Sequence, residues 1–229
     1  MTSHRLIDLW PAAGVRVRAG DLEMRWIDDD LAVDLGLLAG KGVHDESSMP
    51  FDYPWTRGTE RDVARSVLTF QWAARTRVGA QRLVLELGVL VDGEPVGIQS
   101  ASADDWSVLR EVKTGSWLGR AHQGKGIGRR MRALMLHLCF EELHAESVAS
   151  AAFTDNEFSN AVSRRTGYEV DGVQRVVREG SAAMQKRYRM DRDRWLKVRD
   201  ENHRIVGADI EVTGVDRLLA DLEPPASTS

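Results

Sequence analysis

The 229-residue chain has one cysteine, six prolines and no apolar run long enough to cross a bilayer. A lone thiol, Cys139, excludes an internal disulfide framework and points to a reducing compartment. Because it falls on a predicted helix, it reads as a small buried apolar residue rather than a nucleophile. Met1 to Trp10 lack a positively charged start followed by an apolar stretch, so a cytoplasmic location without membrane attachment is expected. Basic excess is also missing. Lys and Arg number 31 against 35 Asp and Glu, for a formal charge of −4, too little to displace counterions along a nucleic acid. No metal is expected either, since the one acidic cluster, Asp28-Asp29-Asp30, reads as the cap of a following helix. With 42% apolar and 29% charged residues, the remainder is ordinary soluble composition, long enough for one large domain or a domain with an appendage.

What is present concentrates between Gly115 and Arg129. Val108 to Lys113 are mostly extended formers, and after Gly128 apolar residues recur at Ile127, Met131, Leu134, Met135 and Leu138, the spacing of one helix face. Between them stands a glycine-rich turn. Glycine at 124, 126 and 128 lets backbone N–H groups approach an anion, and the helix start adds its positive dipole end. Lys125, Arg129 and Arg130 add charge at the same place. A diphosphate would fit; a tight turn with glycines for helix packing is the alternative. Two stricter phosphate fingerprints do not fit: no Gly-Lys-Ser/Thr ending is present, and the dinucleotide pattern lacks its acidic residue.

Around this turn the chain alternates strands and helices. Residues 1–20 read as a loose arm ending in an edge strand at Val15 to Arg18, followed by a strand over Leu22 to Ile27 and a helix over Leu31 to Leu38. From Gly40 to Gly58 there is no periodicity, but Phe51, Tyr53 and Trp55 stand among Pro50 and Pro54. A stiff aromatic loop of this kind suits the wall of a substrate site; packing onto the core is the alternative. Thr59 and Asp62 predict a capped helix with Val63, Val67, Phe70 and Ala74 on one face. Leu83 to Val91, Asp92-Gly93 and Glu94 to Ser100 predict a hairpin on a type I′ turn. A third strand, Leu109 to Leu118, leads into the glycine turn. Ser147 to Phe153 then returns parallel to it by a right-handed crossover. A short helix starting at Asn156 and closed by Gly167, and a hairpin from Tyr168 to Met190, complete a mixed α/β domain over residues 21–192.

Two of these segments resemble the GNAT N-acyltransferases. Gln123-Gly124-Lys125-Gly126-Ile127-Gly128 matches that family's acyl-CoA motif, Gln/Arg-x-x-Gly-x-Gly/Ala, and Asn156-x-x-Ser159 through Gly167-Tyr168 is similar to its second conserved helix. Trp117-Leu118 and the hairpin after Tyr168 resemble the branch of ribosomal-protein N-terminal acetyltransferases, and the aromatic loop, Ser116 to Gly119 and Val162 to Tyr168 resemble an actinobacterial member of that branch associated with succinyl-CoA. The likeness covers about residues 20–195.

The resemblance implies an α+β fold: a mostly antiparallel sheet of six to seven strands, helices on both faces, and a parallel pair that splays apart. It implies acetyl-CoA or succinyl-CoA as acyl donor and direct attack by an amine of a small molecule or a protein N-terminus. The pantetheine arm would lie in the gap after Ser116-Trp117-Leu118 and Ser150-Ala151-Ala152 as an added strand does. Trp117, Leu118, Gly119 and the amides from Gln123 to Arg129 would hold the donor, with Asn156 and Ser159 on the pantetheine. The N–H near Leu118 would stabilise the oxyanion. Glu111 is the first candidate for general base, with Asp104, Asp105 or a water chain as alternatives. Many relatives have a tyrosine acid where this chain has Ser163, which would at most hydrogen-bond the sulfur. Phe51, Tyr53, Trp55 and Trp106 would line the acceptor side. Tyr168 is assigned to the core.

The last segment, residues 193–229, reads as an extension: a charged helix anchored by Trp195, a strand near Ala208 to Val212, and an amphipathic Val215 to Leu222 that buries against the body or a second subunit. A homodimer is expected, and disorder after about residue 223. Two other function classes stay open. One is a non-catalytic acyl-CoA sensor; the other is nucleotide binding at the glycine turn.

Overall fold

The computed structural model describes residues 4–223. The tail expected to be disordered lies outside the described residues. The strands are β1 (Arg16–Ala19), β2 (Leu22–Trp26), β3 (Arg82–Val91), β4 (Glu94–Asp104), β5 (Glu111–Leu118), β6 (Ser147–Phe153), β7 (Glu169–Arg178), β8 (Ser181–Asp191) and β9 (Glu211–Thr213). The helices are α1 (His4–Leu9), α2 (Asp29–Gly40), α3 (Glu60–Ala74), α4 (Trp106–Leu109), α5 (Ile127–His137), α6 (Glu157–Arg165), α7 (Arg192–Val206) and α8 (Val215–Leu222). All nine strands form one sheet in the order β7-β8-β6-β5-β4-β3-β2-β1-β9. Every pair is antiparallel except β5 with β6.

Local chemistry sets most of these boundaries. The Asp28 carboxylate accepts from Leu31 N at 3.0 Å and starts α2, and Thr59 and Asp62 form a reciprocal capping box on α3. Asp92 and Gly93 both have positive φ, 50° and 85°, as a type I′ turn requires. One apolar cluster packs α2 and α3, through Leu31, Leu35, Val63 and Val67, on Leu90 and Ile98. The larger cluster packs α5 and α7, through Met131, Leu134, Met135 and Trp195, on Leu85, Val112, Val148 and Met190. Cys139 sits in that second cluster with no exposed surface, and burial pushes its thiol up to about 12.

Five expectations are corrected. The sheet has nine strands rather than six or seven, because the two chain ends meet: Arg16 to Arg18 pair with Thr213 to Glu211. So β1 is not an edge strand, and residues 12–19 are not part of a loose arm, since Ala12, Ala13, Val15, Val17 and Ala19 are core. Phe70 is 53% exposed, and Gln71 turns inward instead to reach Glu86 on β3. The strand expected from Leu109 begins at Glu111, because Arg110 takes a left-handed conformation (φ 47°) that ends α4. At the other end of the chain, Val215, Leu218 and Leu222 of α8 are buried within this same chain, beside residues 11–14. The apolar face that suggested a dimer is therefore already covered.

Candidate functional site

β5 and β6 pair only over Glu111↔Ser147, Val112↔Val148 and Lys113↔Ala149. Beyond that, β5 stays with β4 up to Gly97↔Leu118 while β6 stays with β8 up to Phe153↔Gln185. The parallel pair therefore forks. Thr114 Oγ1 donates to Ala149 O at 3.1 Å across the fork's apex. Gly119 N donates to Val96 O at 2.9 Å, and because antiparallel strands alternate which residues face the partner, the N–H groups of Ser116 and Leu118 face away from β4, into the gap.

The glycine turn closes the mouth of the fork. Gly124 and Gly126 have φ of 74° and 83°, the left-handed region, and Gly126 caps α5 with no side-chain hydrogen bond. Among the described residues, the N–H groups from Gly124 to Gly128 have no protein acceptor. Gln123 N and Arg129 N, expected in the same set, are already satisfied, by Arg120 O (3.3 Å) and Gly126 O (3.1 Å). Gln123 contributes its side chain instead: Nε2 donates to Leu118 O (2.8 Å) and Val43 O (2.5 Å), tying the turn to the strand end and to the aromatic loop. A Cβ on Gly128 would sit 3.7 Å from Leu118 and 3.9 Å from Val162, so turn, fork and α6 share one cleft. Arg130 does not join the cationic set, because Asp21 holds its guanidinium (2.5 Å). Lys125 and Arg129 make no ion pair among the described residues.

Two walls flank the cleft. Trp55 packs on Trp117 (ring centres 5.7 Å) and Phe51 on Trp55 (5.0 Å), so the loop stands against the end of β5. Tyr53 is 75% exposed. Arg57 clamps the loop to the β7–β8 hairpin through Glu179 (2.7 and 3.0 Å). On the opposite wall Asn156 caps α6, accepting from Ser159 N at 3.1 Å, which leaves its amide NH2 free among the described residues. Ser163 is buried, and its Oγ has no partner there.

Two candidates are not brought to this cleft. Glu111 opens β5 at the closed end, about 23 Å of strand from Leu118. Arg189 (2.7 Å) and Ser147 (3.2 Å) engage its carboxylate, and the Arg189 hydrogen bond holds its pKa below the usual range. That argues against its role as base. Trp106 is 2% exposed in the core beside the same closed end, not on the acceptor side. Asp104 lies there too, near Lys113 (3.7 Å) and Arg82 (3.5 Å). Tyr168 is core as expected, its hydroxyl 3.2 Å from Thr114 Oγ1.

Sequence reasoning missed two charged groups near the fork. Glu86 lies in register with Ser100, and Ser100 with Gly115, on the face covered by α2 and α3. Burial pushes its carboxyl up to about 7. Arg132 of α5 lies under the fork, 3% exposed. A signal for each existed: Glu86 interrupts an apolar strand, and Arg132 interrupts the apolar face of α5.

A mixed sheet whose one parallel pair forks, with an amide-lined turn at the mouth, defines a class of fold in which an open strand edge stands beside an anion cradle. The sequence profile of the acetyltransferase (GNAT) domain matches residues 21–169, and the chain belongs to that family. Solved structures with the same fold include Mycobacterium smegmatis RimJ in complex with CoA-disulfide: 18% identity, 85% of this chain and 93% of that one, TM-score 0.66. RimL, a ribosomal alpha-N-protein acetyltransferase in complex with coenzyme A, is 19% identical over 78% of this chain and 99% of its own, TM-score 0.61. A GCN5-related N-acetyltransferase from Brucella melitensis is 15% identical over 82% and 84%, TM-score 0.66. At these identities the likeness is one of fold.

Proposed function

We propose that the protein transfers an acyl group from a coenzyme A thioester, acetyl-CoA or succinyl-CoA, to a primary amine. The observation that carries the reading is the coincidence, in one cleft, of five unpaired turn amides with a parted strand pair. The amides from Gly124 to Gly128, with Lys125 and Arg129, suit a diphosphate. The edge at Ser116 and Leu118 suits an extended pantetheine, with the free amide of Asn156 beside it. Fold likeness to a ribosomal alpha-N-protein acetyltransferase favours a protein N-terminus as acceptor, entering past Phe51, Tyr53 and Trp55; a small-molecule amine is the other candidate.

In this reading the amine nitrogen attacks the thioester carbon, one of the gap-facing amides steadies the oxyanion, and one such donor is worth about 10²–10³ in rate. An ammonium must first lose a proton, and a base is most effective when it titrates near working pH. Glu86, pushed up to about 7, fits that condition better than Glu111. It stands two strands from Gly115, roughly 10 Å at ordinary strand spacing, so it would act through Ser100 and water. Ser163 Oγ would hydrogen-bond the departing sulfur.

Thermal shift with CoA, acetyl-CoA, succinyl-CoA, ATP and NAD, followed by thiol release against amines and N-terminal peptides, tests the reading. Stabilisation by the CoA compounds and release with at least one amine class are expected. Stabilisation by ATP or NAD alone overturns it. Tight CoA binding without release across the panel favours a sensor, a reading that the serine at position 163 keeps open.

A further inference from the structure

The fork holds a buried charge that the chemistry above leaves unused. Arg132 lies one helical turn beyond Gly128 on α5, on the face that meets the sheet. Its guanidinium donates to Ser150 Oγ on β6 (2.9 Å) and to Ser116 Oγ on β5 (3.2 Å), so it straddles the gap just past the last paired residues, Lys113 and Ala149. Both partners are neutral. The Tyr168 ring, its centre 5.9 Å from the guanidinium carbon, adds no countercharge. Among the described residues Arg132 makes no ion pair, and its Nε is buried without an acceptor. An enclosed cation without an opposite charge is costly, and arginine is the residue best shaped for a carboxylate.

The order of parts in the cleft says what would arrive there. With the diphosphate at the turn and the pantetheine along Leu118 and Ser116, the part of the donor that reaches deepest, toward the apex at Thr114, is the acyl group. We propose that Arg132 receives a carboxylate at the far end of that acyl group, so that the donor site prefers dicarboxylic acyl thioesters such as succinyl-CoA to acetyl-CoA. This rests on the acyl-CoA reading and deepens it. Two parallel N–H···O bonds from the guanidinium would replace or share those now made to the serine hydroxyls. Arg132 takes no part in bond making: the amine nitrogen forms the amide, the C–S bond breaks toward sulfur, and the proton lost by the ammonium leaves by another route.

Calorimetric titration of the full chain with succinyl-CoA, acetyl-CoA and free CoA tests this without an acceptor. The wild type should bind succinyl-CoA at least tenfold more tightly than acetyl-CoA. Arg132→Met should lose roughly 30-fold or more for succinyl-CoA and little for the other two, and Arg132→Lys should recover part of the loss. Because the methionine removes an uncompensated buried charge, its Tm should not fall. Ser150→Ala, a milder change that unfixes the guanidinium, should give a smaller loss of the same selectivity and serves if Arg132→Met does not fold. Equal wild-type affinity for the two thioesters overturns the proposal, as does an equal loss for all three ligands in Arg132→Met, which would make Arg132 a brace of the fork. Binding of none of the three overturns the acyl-CoA reading itself and this proposal with it.

Discussion

The two ends of β5 contrast. Over its first three residues the strand is paired with β6, joined at Lys113 by β4, and the polar groups there are consumed by each other: Glu111 by Arg189 and Ser147, Asp104 by Lys113 and Arg82. At its end β6 has turned away, and main-chain amides and a buried guanidinium are left with capacity to spare. The same kinds of residue occur at both. What differs is whether a second strand follows, since a closed ladder uses up donors that an open edge offers to a ligand.

The contrast can be broken most forcefully at the open end. Gly126→Val puts a β-branched side chain at φ 83° and distorts the amide cradle. Losing two N–H bonds to phosphate, at about 1.5–3 kcal/mol each, should weaken CoA binding about 100-fold or more. Calorimetry checks it, and unchanged affinity would remove the cradle from the argument.

Between the ends, Glu86 predicts a pH dependence. Its folded pKa, about 7, lies above its ordinary 4.5. Its contribution to stability is therefore fully present below pH 4.5 and is lost as pH rises through 7, a decline of order 3 kcal/mol. Denaturant titrations from pH 4 to 8 should show this slope flattened in Glu86→Gln. If Glu86 is also the proton acceptor, kcat rises through pH 7 in the wild type and not in the variant.

Gln123→Ala removes two hydrogen bonds of about 1 kcal/mol each and frees the turn from Leu118 and Val43. CoA affinity should fall about tenfold, with a smaller loss of Tm. At the closed end Glu111→Gln should leave kcat within about twofold and cost at most about 1 kcal/mol, since the ion pair is half exposed. Its pKa is lowered in the fold, so that contribution is present above pH 4.5 and disappears as pH falls through the folded value. A large drop in kcat would restore Glu111 as the base. The smallest effect belongs to Arg57→Ala. Losing an exposed pair with Glu179 should leave Tm unchanged but should raise the acceptor KM if the aromatic loop lines its site.

Much of this was legible in the residues. The hairpin at Asp92-Gly93, the caps at Asp28 and Thr59, the glycine turn and the parallel return at Ser147 all depend on local backbone chemistry, which short stretches of sequence express. Two residues near the motif in sequence, Glu111 and Trp106, are not brought to the cleft. Glu111 is seven residues from Leu118, but extended chain carries it to the other end of the strand, and Trp106 follows it. Glu86 and Arg132 were passed over because an ionisable residue within an apolar run shows its neighbours only once the sheet is assembled. The chain ends were misjudged for the same reason: β1 and β9 pair across nearly the whole length of the sequence.

The sequence by itself determined where backbone donors are left bare, since glycine takes those φ values with least strain and a helix start adds the dipole beside them. Tertiary structure decided which side chains share the cleft. The fork arises where β5 and β6 keep faith with different neighbours, β4 and β8, and that choice rests on long-range pairing that no local run of residues encodes.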